Sequence, residues 1–184
     1  MSKTETASVP RHIGFIMDGN RRWAKERMMP AMKGHEAGVD ALDRAVTACF
    51  DRGVEFVSAF TFSTENWNRT QEEVGFLMGL VTKVLTQYMN RFKDDGIKIL
   101  VIGTRDRLAK SVIKAIEEAE EATKTGTRGT LALCFNYGGL QELTDMVKSI
   151  AASGVDIASL EPSDLQAYLY KPEVPPCDLI VRTS

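Results

Sequence analysis

The chain is poor in cysteine: Cys49, Cys134 and Cys177 stand far apart, and none belongs to a CxxC pair. That spacing excludes a disulfide framework, speaks against a zinc site, and reads as small buried thiols of a reducing compartment. Long apolar runs are also missing. The most hydrophobic stretch, residues 97–102, is interrupted by Lys98 and closes at Gly103, well short of the ~20 apolar residues of a membrane-spanning helix. Residues 1–11 lack the apolar segment of a secretory signal, and residues 1–9 read as a flexible tail. Positive charge is not in excess, since 23 Lys and Arg face 25 Asp and Glu for a net charge of −2. Composition therefore gives no electrostatic case for nucleic acid or an anionic membrane, and any anion site must be local. No GxGxxG follows the first apolar run, which removes the usual dinucleotide signature.

What is present is a single globular domain's worth of core, with 43% hydrophobic residues in 184. Residues 13–17, 56–62, 97–102, 131–135 and 179–181 are apolar runs too uniform for a half-exposed sheet, so both sheet faces are expected to be covered. Between them lie segments of helical period. Val39, Leu42, Val46, Cys49 and Phe50 mark one face. A wide stripe from Val74 to Phe92 marks a long helix over residues 70–92, Val112, Ile116 and Ala119 mark a third, and Leu140, Leu143, Val147 and Ile150 a fourth. A short helix is expected near residues 163–169, and the run Glu117, Glu118, Glu120 and Glu121 reads as a solvated helix face. The alternation predicts an α/β domain with a mostly parallel central sheet flanked by helices.

In such a sheet, ligands bind beyond the carboxyl ends of the strands, so the residues there carry the chemistry. After the first run comes Asp18-Gly19-Asn20-Arg21-Arg22-Trp23-Ala24-Lys25. Gly19 permits a sharp turn, Asn20 can cap the helix that follows, and Arg21, Arg22, Lys25, Arg27 and Lys33 form the most basic stretch of the chain. One carboxylate amid these cations suits Mg²⁺ held against a diphosphate. The second run ends in Ser63-Thr64-Glu65-Asn66-Trp67-Asn68-Arg69, the fourth in Asn136-Tyr137-Gly138-Gly139, and the last in Arg182-Thr183-Ser184, while His35 opens the helix between the first two strands. These strand ends together predict a shared polyanion site. An aspartyl phosphatase would want a second Asp two residues after Asp18, where Asn20 stands.

The strings Ile16-Met17-Asp18-Gly19-Asn20 with Arg22-Trp23-Ala24, Gly34-His35, Phe62-Ser63-Thr64-Glu65-Asn66-Trp67 with Arg69, Asn136-Tyr137-Gly138-Gly139, and Asp178-Leu179-Ile180-Val181-Arg182-Thr183 resemble, in order, the motifs of the cis-prenyltransferases. That family includes undecaprenyl diphosphate synthase. The resemblance implies the same α/β fold and a transferase that condenses isopentenyl diphosphate with an allylic diphosphate such as farnesyl diphosphate, using Mg²⁺. The product implied is a cis-polyprenyl diphosphate of the undecaprenyl carrier-lipid type used in cell-wall synthesis. It further implies a cytoplasmic homodimer, with room for peripheral contact at the inner membrane face and no nucleic-acid partner. By family similarity Asp18 carries the metal and assists departure of the allylic diphosphate, which Gly19, Asn20, Arg21, Arg22 and Trp23 cradle. Arg69 and Arg182 clamp isopentenyl diphosphate, and Ser63, Thr64 and Glu65 belong to the same substrate turn. Asn66 sits near the carbon that loses its proton, His35 is a proton or diphosphate partner, and Trp67 and Phe62 help enclose the hydrocarbon.

Several positions depart from the family pattern. Arg21 stands where Gly is commonest. Ala31 occupies the place of a diphosphate-binding Arg, with Lys33 as its candidate replacement. Leu140 replaces the Arg that follows Asn-Tyr-Gly-Gly, and Thr104 stands where an Asp often ends the third strand. The family pattern continues past Arg-Thr-Ser with further substrate and metal residues, so residues 10–184 are read as a catalytic domain short of the family's C-terminal part. Two other readings stay open at this point: a short-chain cis-prenyl diphosphate synthase, and a non-catalytic partner subunit, although such partners lose the Asp-Gly-Asn and Ser-x-Glu-Asn clusters found here.

Overall fold

Uniformly apolar strands bury both faces and need helical crossovers, and the chain folds accordingly. The computed structural model describes residues 8–183, so most of the expected tail at residues 1–9 lies outside the described residues. Strands β1 (His12–Ile16), β2 (Phe56–Ser63), β3 (Ile97–Ile102), β4 (Gly129–Tyr137) and β5 (Leu179–Val181) form one sheet in the order β3-β4-β2-β1-β5. Every pairing is parallel. Helices α1 (Asn20–Glu26) and α2 (Ala31–Phe50) follow β1, α3 (Gln71–Gln87) and α4 (Met89–Asp94) follow β2, α5 (Lys110–Thr123) follows β3, and α6 (Gly139–Ser153) follows β4. The expected single-domain α/β architecture is the one that forms. Val57, Ala59 and Phe62 of β2 and Leu131, Leu133 and Phe135 of β4 are almost wholly buried at its centre. Each large side chain buried there contributes roughly 1.5–3 kcal/mol.

Some expectations are corrected. The long helix over residues 70–92 is two, broken at Tyr88, whose N–H still reaches the Val84 carbonyl. The Thr82 and Thr86 hydroxyls donate back to the Met78 and Thr82 carbonyls, a bonding that bends helices, and the break turns Phe92 into the core. The short helix near residues 163–169 is a 3₁₀ segment, Pro162–Tyr168. Of the fourth helical stripe only Ile150 is buried. Leu140, Leu143 and Val147 face outward, as do Leu179 and Ile180 of the edge strand, so the sheet is not covered everywhere among the described residues. Polar bonds fix α6 instead: the Glu142 carboxylate accepts from the Tyr137 hydroxyl at 2.7 Å and the Tyr170 N–H at 2.9 Å. Glu120 does not belong to a solvated face, because it accepts from the Val101 N–H and pairs with Lys171, both at 2.8 Å. Cys177 is exposed, whereas burial pushes the Cys134 thiol up to about 12.

The last strand is tied to the first by side chains as well as by its ladder. The Asp178 carboxylate accepts from the backbone N–H of Arg11 and His12, and the buried His12 ring bridges the Pro175 carbonyl and the Ser58 hydroxyl at 2.7 Å each. That anchoring fixes where Arg182 emerges.

Candidate active site

The strand order sets β1 between β2 and β5, so the loops leaving these three strands meet at one end of the sheet. Gly19 makes the turn after β1, at φ 86°, in the left-handed region that a side chain would strain. Asn20 is therefore the first residue of α1 and not its cap; Gly19 takes the cap position, and the Asp18 carboxylate accepts the Gly19 N–H at 2.6 Å. The Asn20 side chain lies instead against Gly38 of α2. His35 lies in the second turn of α2, which starts at Ala31, earlier than expected.

A cleft at this end is lined by Asp18, Gly19, Asn20, Arg21, Arg22, His35 and Arg69, and an adjoining one adds Trp23, Arg44 and Thr183. Asp18 Oδ2 is 2.6 Å from Arg182 and 3.8 Å from Arg22. The residues expected to serve the two different diphosphates are thus within contact of one another. The carboxylate suits Mg²⁺, which takes one or two carboxylates and completes its shell with phosphate oxygens and water. Among the described residues no group of three metal-ligating side chains offers a closed protein cage.

Behind the cations lies Glu73, a residue that motif reading missed. It accepts from Arg69 at 2.8 Å, stands 3.4 Å from His35 Nε2 and 3.8 Å from Arg21, and is only 14% exposed. Its signal was available, since it follows Arg69 by four residues in the first turn of a helix whose Thr70 cap bonds the Glu73 N–H. At 3.4 Å the His35 contact is too long for a good hydrogen bond, and the buried Nε2 has no other partner. Burial lowers the His35 pKa below its ordinary 6.5, against the pull of Glu73 and with help from Arg69 and Arg21. His35 is therefore neutral at pH 7. The stability this contributes is present above 6.5 and is lost as pH falls toward the folded value, because the unfolded chain takes up the proton first.

The turn after β2 is placed next to the cleft, but its residues do structural work. A register shift in β2 against β4 at Phe60–Ser63 turns the strand into the 3₁₀ segment Thr64–Asn68. The Asn66 side chain accepts from the Ser63 N–H at 3.1 Å, and Thr64 packs on Gly138. Glu65 is exposed, with its carboxyl held low by the Ser63 hydroxyl. Trp67 donates to Asn136 Oδ1 at 2.7 Å, stacks edge-on against Phe62, and carries Arg107 over its ring. Asn136, fully buried at φ 51°, also donates to Thr104 and to the Asp106 carbonyl. Thr104 is thus an acceptor for this hub. The ends of β3 and β4 brace the neighbouring turn and do not join a five-strand polyanion site. Lys33, the candidate replacement for the Arg missing at Ala31, pairs with Glu36 at 2.8 Å and lines neither cleft.

An apolar cavity lies beside the cleft, between the sheet, α2 and α3. Met17, Asn20 and His35 line both spaces, and Val39, Leu42, Leu77, Val81 and Val84 continue the cavity inward. Part of the α3 stripe lines it, while Leu85 packs in the core.

The family model described as "Putative undecaprenyl diphosphate synthase" matches residues 16–184. The chain belongs to this family of prenyltransferases. The isoprenyl transferase of Thermotoga maritima is 41% identical over 179 residues, which cover 96% of this chain and 76% of that protein. The trans,polycis-polyprenyl diphosphate synthase ((2Z,6E)-farnesyl diphosphate specific) of Thermobifida fusca is 41% identical over 180 residues, 96% of this chain and 64% of its own. Among solved structures, a probable undecaprenyl diphosphate synthase from Campylobacter jejuni superposes with a TM-score of 0.76 at 26% identity, over 92% of this chain and 73% of that one. A lavandulyl diphosphate synthase from Lavandula x intermedia, in complex with dimethylallyl diphosphate, has a TM-score of 0.85 at 24% identity, over 90% and 73%. At that identity the second likeness speaks for the fold alone.

Proposed function

We propose that this prenyltransferase condenses isopentenyl diphosphate with an allylic diphosphate to make a cis-polyprenyl diphosphate. The supporting observation is the apolar cavity beside the cationic cleft, the two sharing Met17, Asn20 and His35 as lining. That shape matches an amphiphile with a hydrocarbon tail and a diphosphate head. Arg21, Arg22 and Asn20 hold the allylic diphosphate, and their donors stabilise the charge that develops as its C–O bond breaks. Mg²⁺ bound by Asp18 would neutralise the departing diphosphate further. Arg69 and Arg182 hold isopentenyl diphosphate beside it, so that its double bond meets the allylic carbon, and neutral His35 donates or accepts at the diphosphate between them. Asn66, which would face the carbon that loses its proton, must release the Ser63 N–H to do so. Trp23 stands with Arg22 at the allylic diphosphate, and Ser63, Thr64, Glu65 and Trp67 shape the substrate turn. A homodimer in the cytoplasm and a carrier-lipid product for cell-wall synthesis belong to this same proposal.

Labelled isopentenyl diphosphate, supplied with farnesyl diphosphate and Mg²⁺, is expected to enter longer prenyl diphosphates extractable into butanol. A chain that neither binds nor extends either substrate refutes the reading. Glu73→Ala should weaken isopentenyl diphosphate binding about tenfold, or ~1.4 kcal/mol, in calorimetry although it makes the site more positive, because Arg69 loses the anchor that orients it. Glu73→Gln, which keeps an acceptor for Arg69, should recover most of that loss. Tighter binding by Glu73→Ala would mean that Glu73 only opposes anions. Ala31 lines a shallow hollow with Arg21, Arg22 and Lys25, so Ala31→Arg should tighten farnesyl diphosphate binding roughly five-fold by adding a bidentate donor.

A further inference from the structure

The turn between α1 and α2 carries two methionines at its tip. Met28 is 96% exposed and sits at φ 55°, and Met29 is 46% exposed. An unbranched side chain in the left-handed region is strained, and glycine or asparagine would make the same turn at less cost. The Met28 side chain thus adds nothing to the core and works against its own backbone. Beside it Trp23 is part-exposed, with the Arg27 guanidinium stacked 4.3 Å from its ring. Charge supplies a second, independent observation. In a chain of net charge −2, residues 20–33 hold Arg21, Arg22, Lys25, Arg27 and Lys33 against Glu26 alone. Arg21 and Arg22 face the diphosphate cleft, whereas Lys25 and Arg27 line neither cleft and flank the methionine tip. Arg27 is 3.8 Å from Glu26, and Lys33 is held by Glu36.

We propose that this turn is a membrane-docking loop, which inserts Met28 and Met29 into the surface of an anionic bilayer while Lys25 and Arg27 meet lipid phosphates. A flexible apolar tip inside a cationic collar matches the layering of a lipid interface, with hydrocarbon below and phosphate around it. No helix among the described residues is long and apolar enough to cross a membrane, so this contact is interfacial. The hollow lined by Lys25, Met28 and Met29 also includes Arg21 and Arg22, so docking sets the mouth of the cleft at headgroup level. Vesicle binding follows from these residues alone; its use, delivery of a long prenyl product into lipid, rests on the proposed function.

Sedimentation of the full chain with phosphatidylcholine vesicles, with and without phosphatidylglycerol, tests the loop. Binding is expected with phosphatidylglycerol and is expected to weaken with salt. Met28→Ser with Met29→Ser should reduce it about tenfold, and Lys25→Gln with Arg27→Gln should reduce it and flatten the salt dependence, with both pairs still folded and melting cooperatively. Brominated lipids should quench Trp23 fluorescence. Wild-type chain that stays in the supernatant, or a serine pair that sediments as well as wild type, overturns the proposal. So does a serine pair that loses self-association in light scattering without any vesicle binding, since the tip then serves a protein contact. A chain that docks but extends no prenyl diphosphate keeps the loop and loses the proposed function, and the converse result does the opposite.

Discussion

Asp18→Ala is expected to lower turnover by ~10³-fold or more, equivalent to at least ~4 kcal/mol of transition-state stabilisation. The size follows from the position of Asp18, the carboxylate of a cleft otherwise lined by Arg21, Arg22, His35 and Arg69. The sign of its effect on binding is opposite and serves as the control. With Mg²⁺ chelated, the alanine variant should bind farnesyl diphosphate as tightly as wild type or more tightly, because a negative charge has left a cationic site and Arg182 is released from its 2.6 Å pair. Folding should change by no more than about 1 kcal/mol, since the pairs with Arg182 and Arg22 are largely exposed. Steady-state incorporation, calorimetry in chelator and thermal melting separate the three effects. Undiminished turnover would remove the metal-assisted departure of diphosphate from the mechanism.

Much of this arrangement was legible in the sequence, because local pattern and tertiary role coincide where strands are buried on both faces. The runs at residues 97–102 and 179–181 became β3 and β5 without a change of boundary. Asp18, Asn20, Arg22, His35, Arg69 and Arg182 converge because the loops after strands of a parallel sheet must emerge at the same end. Periodicity failed where it could not say what an apolar face meets. The α6 stripe of Leu140, Leu143 and Val147 has the spacing of a core face yet stays exposed. Residue type alone does not say which of two partners a side chain serves. The polar atoms of Asn66 and Trp67 bond Ser63 and Asn136 and brace the turn, a role that the motif does not display. Glu73 was overlooked because a carboxylate in a helix's first turn is ordinary by sequence, and only folding brings Arg21 and His35 to it. A strand order of β3-β4-β2-β1-β5, which no local pattern encodes, decides that the β1, β2 and β5 loops form the cleft while those of β3 and β4 support it.

The geometry of the cleft depends on how closely α1 lies on α2, and Gly34→Ala is expected to break that contact. A Cβ at Gly34 would stand 2.0 Å from the Asn20 carbonyl oxygen and 3.1 Å from Ala24 Cβ. Backbone meets backbone there, so no rotamer can relieve the overlap and the helices must part by roughly 1 Å to regain van der Waals distance. Overpacking of this kind costs about 3 kcal/mol, against which alanine returns up to ~1 kcal/mol of helix propensity. A net loss of ~2 kcal/mol lowers the melting temperature of a domain this size by about 4–8 °C. Gly38→Ala is the informative comparison, because the atoms nearest its Cβ would be those of the Asn20 side chain, at 2.8 Å. That side chain can swing away, so stability should fall little while farnesyl diphosphate binding weakens as Asn20 leaves the cleft. Gly75 and Gly79 of α3 have nothing within 4 Å, and alanine at either should raise the melting temperature through propensity alone. Thermal denaturation of the four variants therefore predicts an order: Gly34→Ala lowest, Gly38→Ala near wild type, and the two α3 variants above it. If Gly34→Ala melts with the α3 variants, α1 and α2 do not touch as described, and the placement of Asp18 and Asn20 at the cleft fails with them.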